Sequence, residues 1–168
     1  MGRAGQLLEE MLASVPMRRG DVFITNVVKC RPPENREPAP EEVAACAPFL
    51  DAQIRLLNPR VIVTLGRHSL ARFFPESRIS ADHGRILRWR DRVVLPLYHP
   101  AAALRSTAIR AALEADFRRL PEAVIESLRN GVAASGEPLP PRSFNAPAEP
   151  PGRTDPAESE GRGQLPLF

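Results

Sequence analysis

Apolar residues along the first 130 positions follow two alternating rhythms, one helical and one extended. Leu7, Leu8, Met11 and Leu12 recur at helical spacing and predict a helix over 6–15. The run Asp21-Val-Phe-Ile-Thr-Asn-Val-Val28 is rich in β-branched residues and lies between Gly20 and a Pro-containing loop, so it reads as a buried strand. A helix is expected from about Pro40 to Leu57, with proline at its first position and Glu41 and Glu42 near the positive end of its dipole. Arg60-Val-Ile-Val-Thr-Leu-Gly66 predicts a second strand ending on glycine, with a short helix after it through Leu70 to Phe74. Arg92-Val-Val-Leu-Pro-Leu-Tyr98 predicts a third strand that ends at His99-Pro100. An amphipathic helix follows from about Ile109 to Arg129, interrupted or restarted at Pro121. Strands alternating with helices imply an α/β fold, a mostly parallel sheet in a three-layer αβα arrangement.

Beyond about residue 130 both rhythms stop. Pro138, Pro140, Pro141, Pro147, Pro150, Pro151 and Pro156 stand among Gly, Ser, Glu and Ala, a composition that cannot bury enough apolar area to offset its ordering entropy. The expected division is one α/β domain over 1–130 and a disordered tail over 131–168. Charge divides the same way: 20 Lys and Arg against 15 Asp and Glu over 1–130, but 3 against 5 over 131–168. A basic domain made almost entirely of arginine suits a phosphate-contacting surface, because guanidinium forks match phosphate oxygens. No apolar run approaches the ~20 residues of a membrane span, and no secretory leader opens the chain, so a cytoplasmic protein is expected. In such a compartment the two cysteines, Cys30 and Cys46, are free thiols or metal ligands rather than a disulfide.

In open parallel sheets, ligands bind beyond the carboxyl ends of the strands. Asn26, Gly66 and His99 fall on that rim. From its segment alone, Asn26 is equally a base-reading amide or a turn cap, since an amide offers both a donor and an acceptor. His99 before a proline is either a catalytic donor or an ordinary cap.

The segment Ile24-Thr-Asn-Val-Val-Lys-Cys-Arg-Pro-Pro-Glu-Asn-Arg-Glu-Pro38 resembles the part of family 4 uracil-DNA glycosylases, the iron–sulfur type, where a strand-end asparagine precedes a cysteine and a Pro-rich loop. Gly2-Arg-Ala-Gly-Gln-Leu-Leu8, Cys46, Val63-Thr-Leu-Gly-Arg-His68 and Tyr98-His-Pro-Ala-Ala-Ala-Leu-Arg105 match in the same order, so the resemblance covers about Gly2 to Leu120. It implies hydrolysis of the N-glycosidic bond of a uracil flipped out of DNA, with Asn26 reading the base edge and His99 stabilising charge on the departing base. It also implies that Ala101–Arg105 enters the minor groove, Leu104 as the wedge and Arg105 as a backbone or groove contact. Leu104 packed into the core at a helix start is the competing reading. Arg67 and His68 are either backbone contacts or a solvated helix N-terminus, and His83 reads as a turn residue.

In the family, Cys30 and Cys46, with 15 residues between them, supply two of the four thiolates of a four-iron, four-sulfur cluster. The first strand of the sheet, a Gly-Glu-Ala-Pro-Gly-type loop, an aromatic that stacks on uracil and two further cysteines are expected before Gly2. The working protein is therefore expected to be longer and this chain alone inactive. A truncated, non-catalytic remnant that binds DNA or a clamp is the alternative; a small-molecule binder of Rossmann type lacks its Gly-x-Gly-x-x-Gly fingerprint. The expected partner is uracil-containing DNA, bound by a monomer. At the terminus, Gln164, Leu165, Leu167 and Phe168 of Gln-Leu-Pro-Leu-Phe resemble the peptides with which bacterial repair proteins dock on the sliding clamp.

Overall fold

The computed structural model describes residues 2–30 and 32–129. The expected tail over 131–168, with Gln164, Leu165, Leu167 and Phe168, lies outside the described residues. Helix α1 spans Arg3–Ala13 and buries Leu7, Met11 and Leu12 on one face. Helix α2, Pro40–Leu57, has proline at its start, and its third residue, Glu42, reaches back to accept a 2.7 Å hydrogen bond from the Ala39 amide. It ends where Asn58 adopts a left-handed conformation at φ 43°.

The sheet has three strands in the order β1-β3-β2. Strand β1, Val61–Leu65, runs parallel to β3, Arg92–Leu97, with Val61 opposite Val93 and Leu65 opposite Leu97. Strand β2, Leu87–Trp89, pairs antiparallel with β3. This hairpin is absent from the sequence expectation, and its turn explains why. Tight hairpins usually advertise themselves by Asn-Gly or Asp-Gly, whereas here Arg90 takes the positive φ of 55° and lies 4.6 Å over the Trp89 ring. The described sheet is thus mixed, one parallel pair and one antiparallel pair.

Segment 21–28 departs from expectation. Asp21 closes a short 3-10 turn, Val22 is extended at φ −126° and ψ 140°, and no ladder forms over 22–28 among the described residues. Phe23 and Ile24 are 58% and 43% exposed rather than buried. The β-branched run sets the backbone conformation, but a strand also needs a partner edge, and the described ladder of β1 is to β3 alone.

Alternation along β3 gives the sheet its two faces. Val93, Leu95 and Leu97 join Leu7, Met11, Leu12, Ala103, Leu113, Phe117, Leu120 and Ala123 in one core, with Val61, Val63 and Leu65 against it. That core lies under α1, α5 (Pro100–Ala103), α6 (Thr107–Phe117) and α7 (Leu120–Arg129). Thr64, Val94 and Pro96 alternate to the other side, where Leu50 and Ile54 of α2 and Leu70 of α3 (Arg67–Ala71) are the buried residues and Arg72 pairs with Asp51. The expected long C-terminal helix is divided as the sequence suggested: Ser106 caps α6 by accepting from the Ile109 amide at 3.3 Å, and Pro121 sits in the first turn of α7. No described helix is long and apolar enough to cross a membrane.

Helix α4, Ile79–Asp82, ends at His83, which is more than a turn residue. Its Nδ1 lies 2.6 Å from Oδ2 of the buried Asp116, and its ring lies 4.6 Å from that of Tyr98. The next residue, Gly84, holds φ +72°, and a Cβ there would come 2.1 Å from Asp116 Oδ1. Gly84→Ala is therefore expected to destabilise the fold by roughly 1–2 kcal/mol from the left-handed backbone alone, and further by displacing Asp116. Chemical denaturation of the two proteins measures the difference.

Candidate active site

Two strand ends meet at the rim. The Gly66 amide donates to the Leu97 carbonyl at 2.8 Å, extending the β1–β3 ladder by one bond. Gly66 has φ +86°, and a Cβ placed on it would lie 3.0 Å from the Cβ of His99, so the chain end of β1 passes directly against the histidine. His99 caps the N-terminus of α5: its Nδ1 accepts the Ala101 amide proton at 3.0 Å. A backbone N–H can only donate, so Nδ1 is the unprotonated nitrogen and the neutral ring carries its hydrogen on Nε2. Desolvation by the surrounding chain lowers the His99 pKa from its ordinary 6.5, which favours the neutral form at neutral pH. Local capping thus fixes a neutral N–H donor on an exposed side chain.

Beyond His99, Pro100 and Ala103 are the buried residues of α5, while Leu104 is 36% exposed and Arg105 is exposed. Leu104 at the end of this helix is turned out of the core rather than packed into it.

Asn26 is exposed on the extended segment, and its carbonyl accepts from Lys29 Nζ at 2.7 Å. The two cysteines are free and line one small cavity of about 50 Å³ with Val28, Pro32 and Glu42. The Lys29 amide donates to Cys46 Sγ at 3.2 Å. Among the described residues, no group of three or more His, Cys, Asp or Glu is placed to hold a metal ion. Two thiols are half the donor set of a four-iron cluster, so these residues alone do not fit that group.

The Pro-rich loop over 32–39 connects these parts. Arg36 grips Glu42 through two bonds of 2.7 and 2.8 Å, which fastens the loop to the start of α2 beside the cysteines. Arg67 pairs with Glu37, and His68 Nε2 lies 3.9 Å from the same carboxylate, which fastens the loop to the start of α3 beside Gly66. Arg67 and His68 therefore hold the loop rather than stand as a bare helix N-terminus. Sequence reading missed this strap because its partners are separated by 30 positions. It missed the His83–Asp116 pair for the same reason.

The rim of the sheet thus carries a capped histidine against the end of β1 and an exposed leucine–arginine pair, with the asparagine on a separate segment outside the described ladder. The family model of the uracil DNA glycosylase superfamily matches residues 1–120, and the chain belongs to that superfamily. Among its relatives are the type-4 uracil-DNA glycosylases of Sulfurisphaera tokodaii and Thermotoga maritima. The first is 44% identical over 139 residues, 77% of this chain and 63% of that protein. The second is 49% identical over 109 residues, 63% of this chain and 57% of that protein. A type-5 enzyme from Pyrobaculum aerophilum is 30% identical over 118 residues, 68% of this chain and 48% of its own length. The chain spans roughly three-fifths of the length of the type-4 relatives named here.

The loop strap gives a pH signature. Arg36 first, and the Ala39 amide second, lower the Glu42 pKa from 4.5 to about 2. A carboxylate depressed in the folded state contributes stability that is fully present above about 4.5 and is lost as pH falls through about 2. Thermal melts of the parent and Glu42→Gln are expected to differ by a constant amount above pH 4.5 and to converge on approaching pH 2.

Proposed function

We propose that this chain carries the base-recognition and catalytic rim of a monofunctional uracil-DNA glycosylase of base excision repair. The reading rests above all on His99: with Nδ1 occupied by the Ala101 amide, the neutral ring offers Nε2–H to a carbonyl oxygen of a bound uracil. In the proposed hydrolysis the bond between the sugar C1′ and uracil N1 breaks, and its electron pair leaves with the base. Negative charge spreads onto the carbonyl oxygens, where a fixed donor stabilises the transition state more than the ground state. Water adds to C1′, its proton neutralises the base, and an abasic sugar and free uracil result. Asn26 reads the base edge through an amide that donates and accepts at once, the pattern that separates uracil from cytosine. Leu104 fills the space the flipped nucleotide leaves, and Arg105 contacts the backbone or groove.

No step passes through an iron–sulfur cluster. A four-iron cluster bound through Cys30 and Cys46 takes its other two thiolates from elsewhere. A second reading, a non-catalytic remnant that binds DNA or a clamp, is favoured by one observation: Phe23 and Ile24 stand exposed on a segment with no described ladder.

Single-turnover cleavage of an oligonucleotide bearing one uracil, by a parent in which this chain is extended upstream with the segments expected before Gly2, separates the two. His99→Ala is expected to lower the rate ~10²-fold or more, the scale of a lost oxyanion donor, while Asn26→Ala also relaxes the preference for uracil over cytosine. A His99→Ala rate equal to the parent's contradicts the mechanism; DNA binding by a parent that cleaves nothing selects the remnant. The wider proposal is a cytoplasmic monomer that docks on a bacterial sliding clamp through Gln164, Leu165, Leu167 and Phe168, a reading supported by sequence alone. A peptide of the last ten residues is expected to bind the purified clamp with a Kd of about micromolar order. Changing Leu167 and Phe168 to alanine should abolish it.

A further inference from the structure

The sequence has 22 arginines and one lysine. A chain that uses arginine at every other basic position keeps an ammonium at Lys29, and the structure gives a reason. Three oxygens converge on Nζ: Thr25 Oγ1 at 2.8 Å, the Asn26 carbonyl at 2.7 Å and Gln53 Oε1 at 2.7 Å. An ammonium carries three donors on one rotatable centre, one for each acceptor. A guanidinium is a planar fork and cannot direct three N–H groups from a single atom to three diverging oxygens. We propose that Lys29 is a positioning residue for Asn26, a clamp that fixes the Thr25–Asn26 backbone against α2 and so sets where the Asn26 amide meets the base. This rests on the reading of Asn26 as the base-reading residue.

Three further observations carry the proposal. Segment 22–28 has no ladder among the described residues, and Thr25 and Asn26 are tied to α2 through Lys29 and Gln53. The clamp has two footings on α2: Gln53 receives Nζ, and Cys46 receives the Lys29 amide at 3.2 Å. Seven residues apart, Cys46 and Gln53 share the helix face of the buried Leu50, the face turned toward the protein. The acceptors are also tied together, since Thr25 Oγ1 donates to Gln53 Oε1 at 3.1 Å.

A single lysine makes the test clean, because labelled lysine yields one Nζ signal with no assignment to make. In the labelled protein that signal is expected to shift in Gln53→Leu, which removes one of the three acceptors of Nζ. Hydrogen exchange of the Lys29 amide, which donates to Cys46 Sγ, is then compared in the parent, Lys29→Met, Lys29→Arg, Gln53→Leu and Gln53→Glu. Loss of the clamp in Lys29→Met, Lys29→Arg and Gln53→Leu should speed exchange about tenfold or more, the range of one or two net hydrogen bonds. Gln53→Glu keeps an acceptor and should stay near the parent. Should Lys29→Met fail to fold, the Gln53→Leu and Gln53→Glu pair asks the same question. Exchange unchanged in Lys29→Met, or Lys29→Arg equal to the parent, overturns the clamp.

The link to recognition is read from the affinity for a single-stranded oligonucleotide with one uracil against the same strand with cytosine in its place. Clamp variants are expected to lose most of that preference, as Asn26→Ala does. Variants that speed this exchange but keep the preference overturn the positioning role. If Asn26→Ala itself keeps the preference, the reading of Asn26 falls, while the exchange data still decide the clamp.

Discussion

The Gly66–Leu97 hydrogen bond is the contact on which the site depends. It continues the parallel pairing of β1 and β3 one step past the last strand residue and draws Gly66 against His99. Only a residue without a side chain passes there, because a Cβ would press on that of His99 at 3.0 Å in a backbone conformation L-residues avoid. Everything at the rim follows from this closure. The histidine backbone is fixed by the ladder, its ring by the Ala101 amide of α5, and the exposed Leu104 by the turn that α5 completes.

The site is held by two different kinds of force. On the His99 side, the supports are buried: Leu95, Leu97, Leu113 and Phe117 lie in the core, and Tyr98 is backed by His83 and Asp116. On the Asn26 side, the supports are polar and near the surface: the Lys29 ammonium, the Arg36–Glu42 fork and the Arg67–Glu37 pair. Exposed ion pairs individually contribute little to stability, but several that share one loop restrict its geometry. The His99 edge is thus backed by apolar packing and the Asn26 segment by polar straps.

Much of this was legible in the sequence because the signals are local. Strands β1 and β3 are continuous apolar runs, Gly66 and His99 stand where those runs end, and Pro121 divides the last helices as proline must. What escaped has long-range causes. Val22–Val28 has the composition of a buried strand, yet composition fixes φ and ψ and cannot say whether a neighbouring edge is present to pair with it. Strand β2 is three residues long and turns on an arginine, below the length and against the residue preference by which hairpins are recognised. His83 looked like a turn because its partner, Asp116, is 33 positions away. Lys29 left one faint mark, a lone lysine among arginines, whose meaning needs the three oxygens around it.

The chemical proposal turns on one protonation state, which histidine NMR reads directly. The chain has three histidines, His68, His83 and His99, so ring nitrogens can be assigned by single substitutions. At neutral pH the His99 ring is expected to be neutral, with Nε2 protonated and Nδ1 bare, and to titrate below 6.5. A ring protonated on Nδ1, or one that titrates above 6.5, contradicts the account, because the donor aimed at the base would then be absent or already charged before the bond breaks.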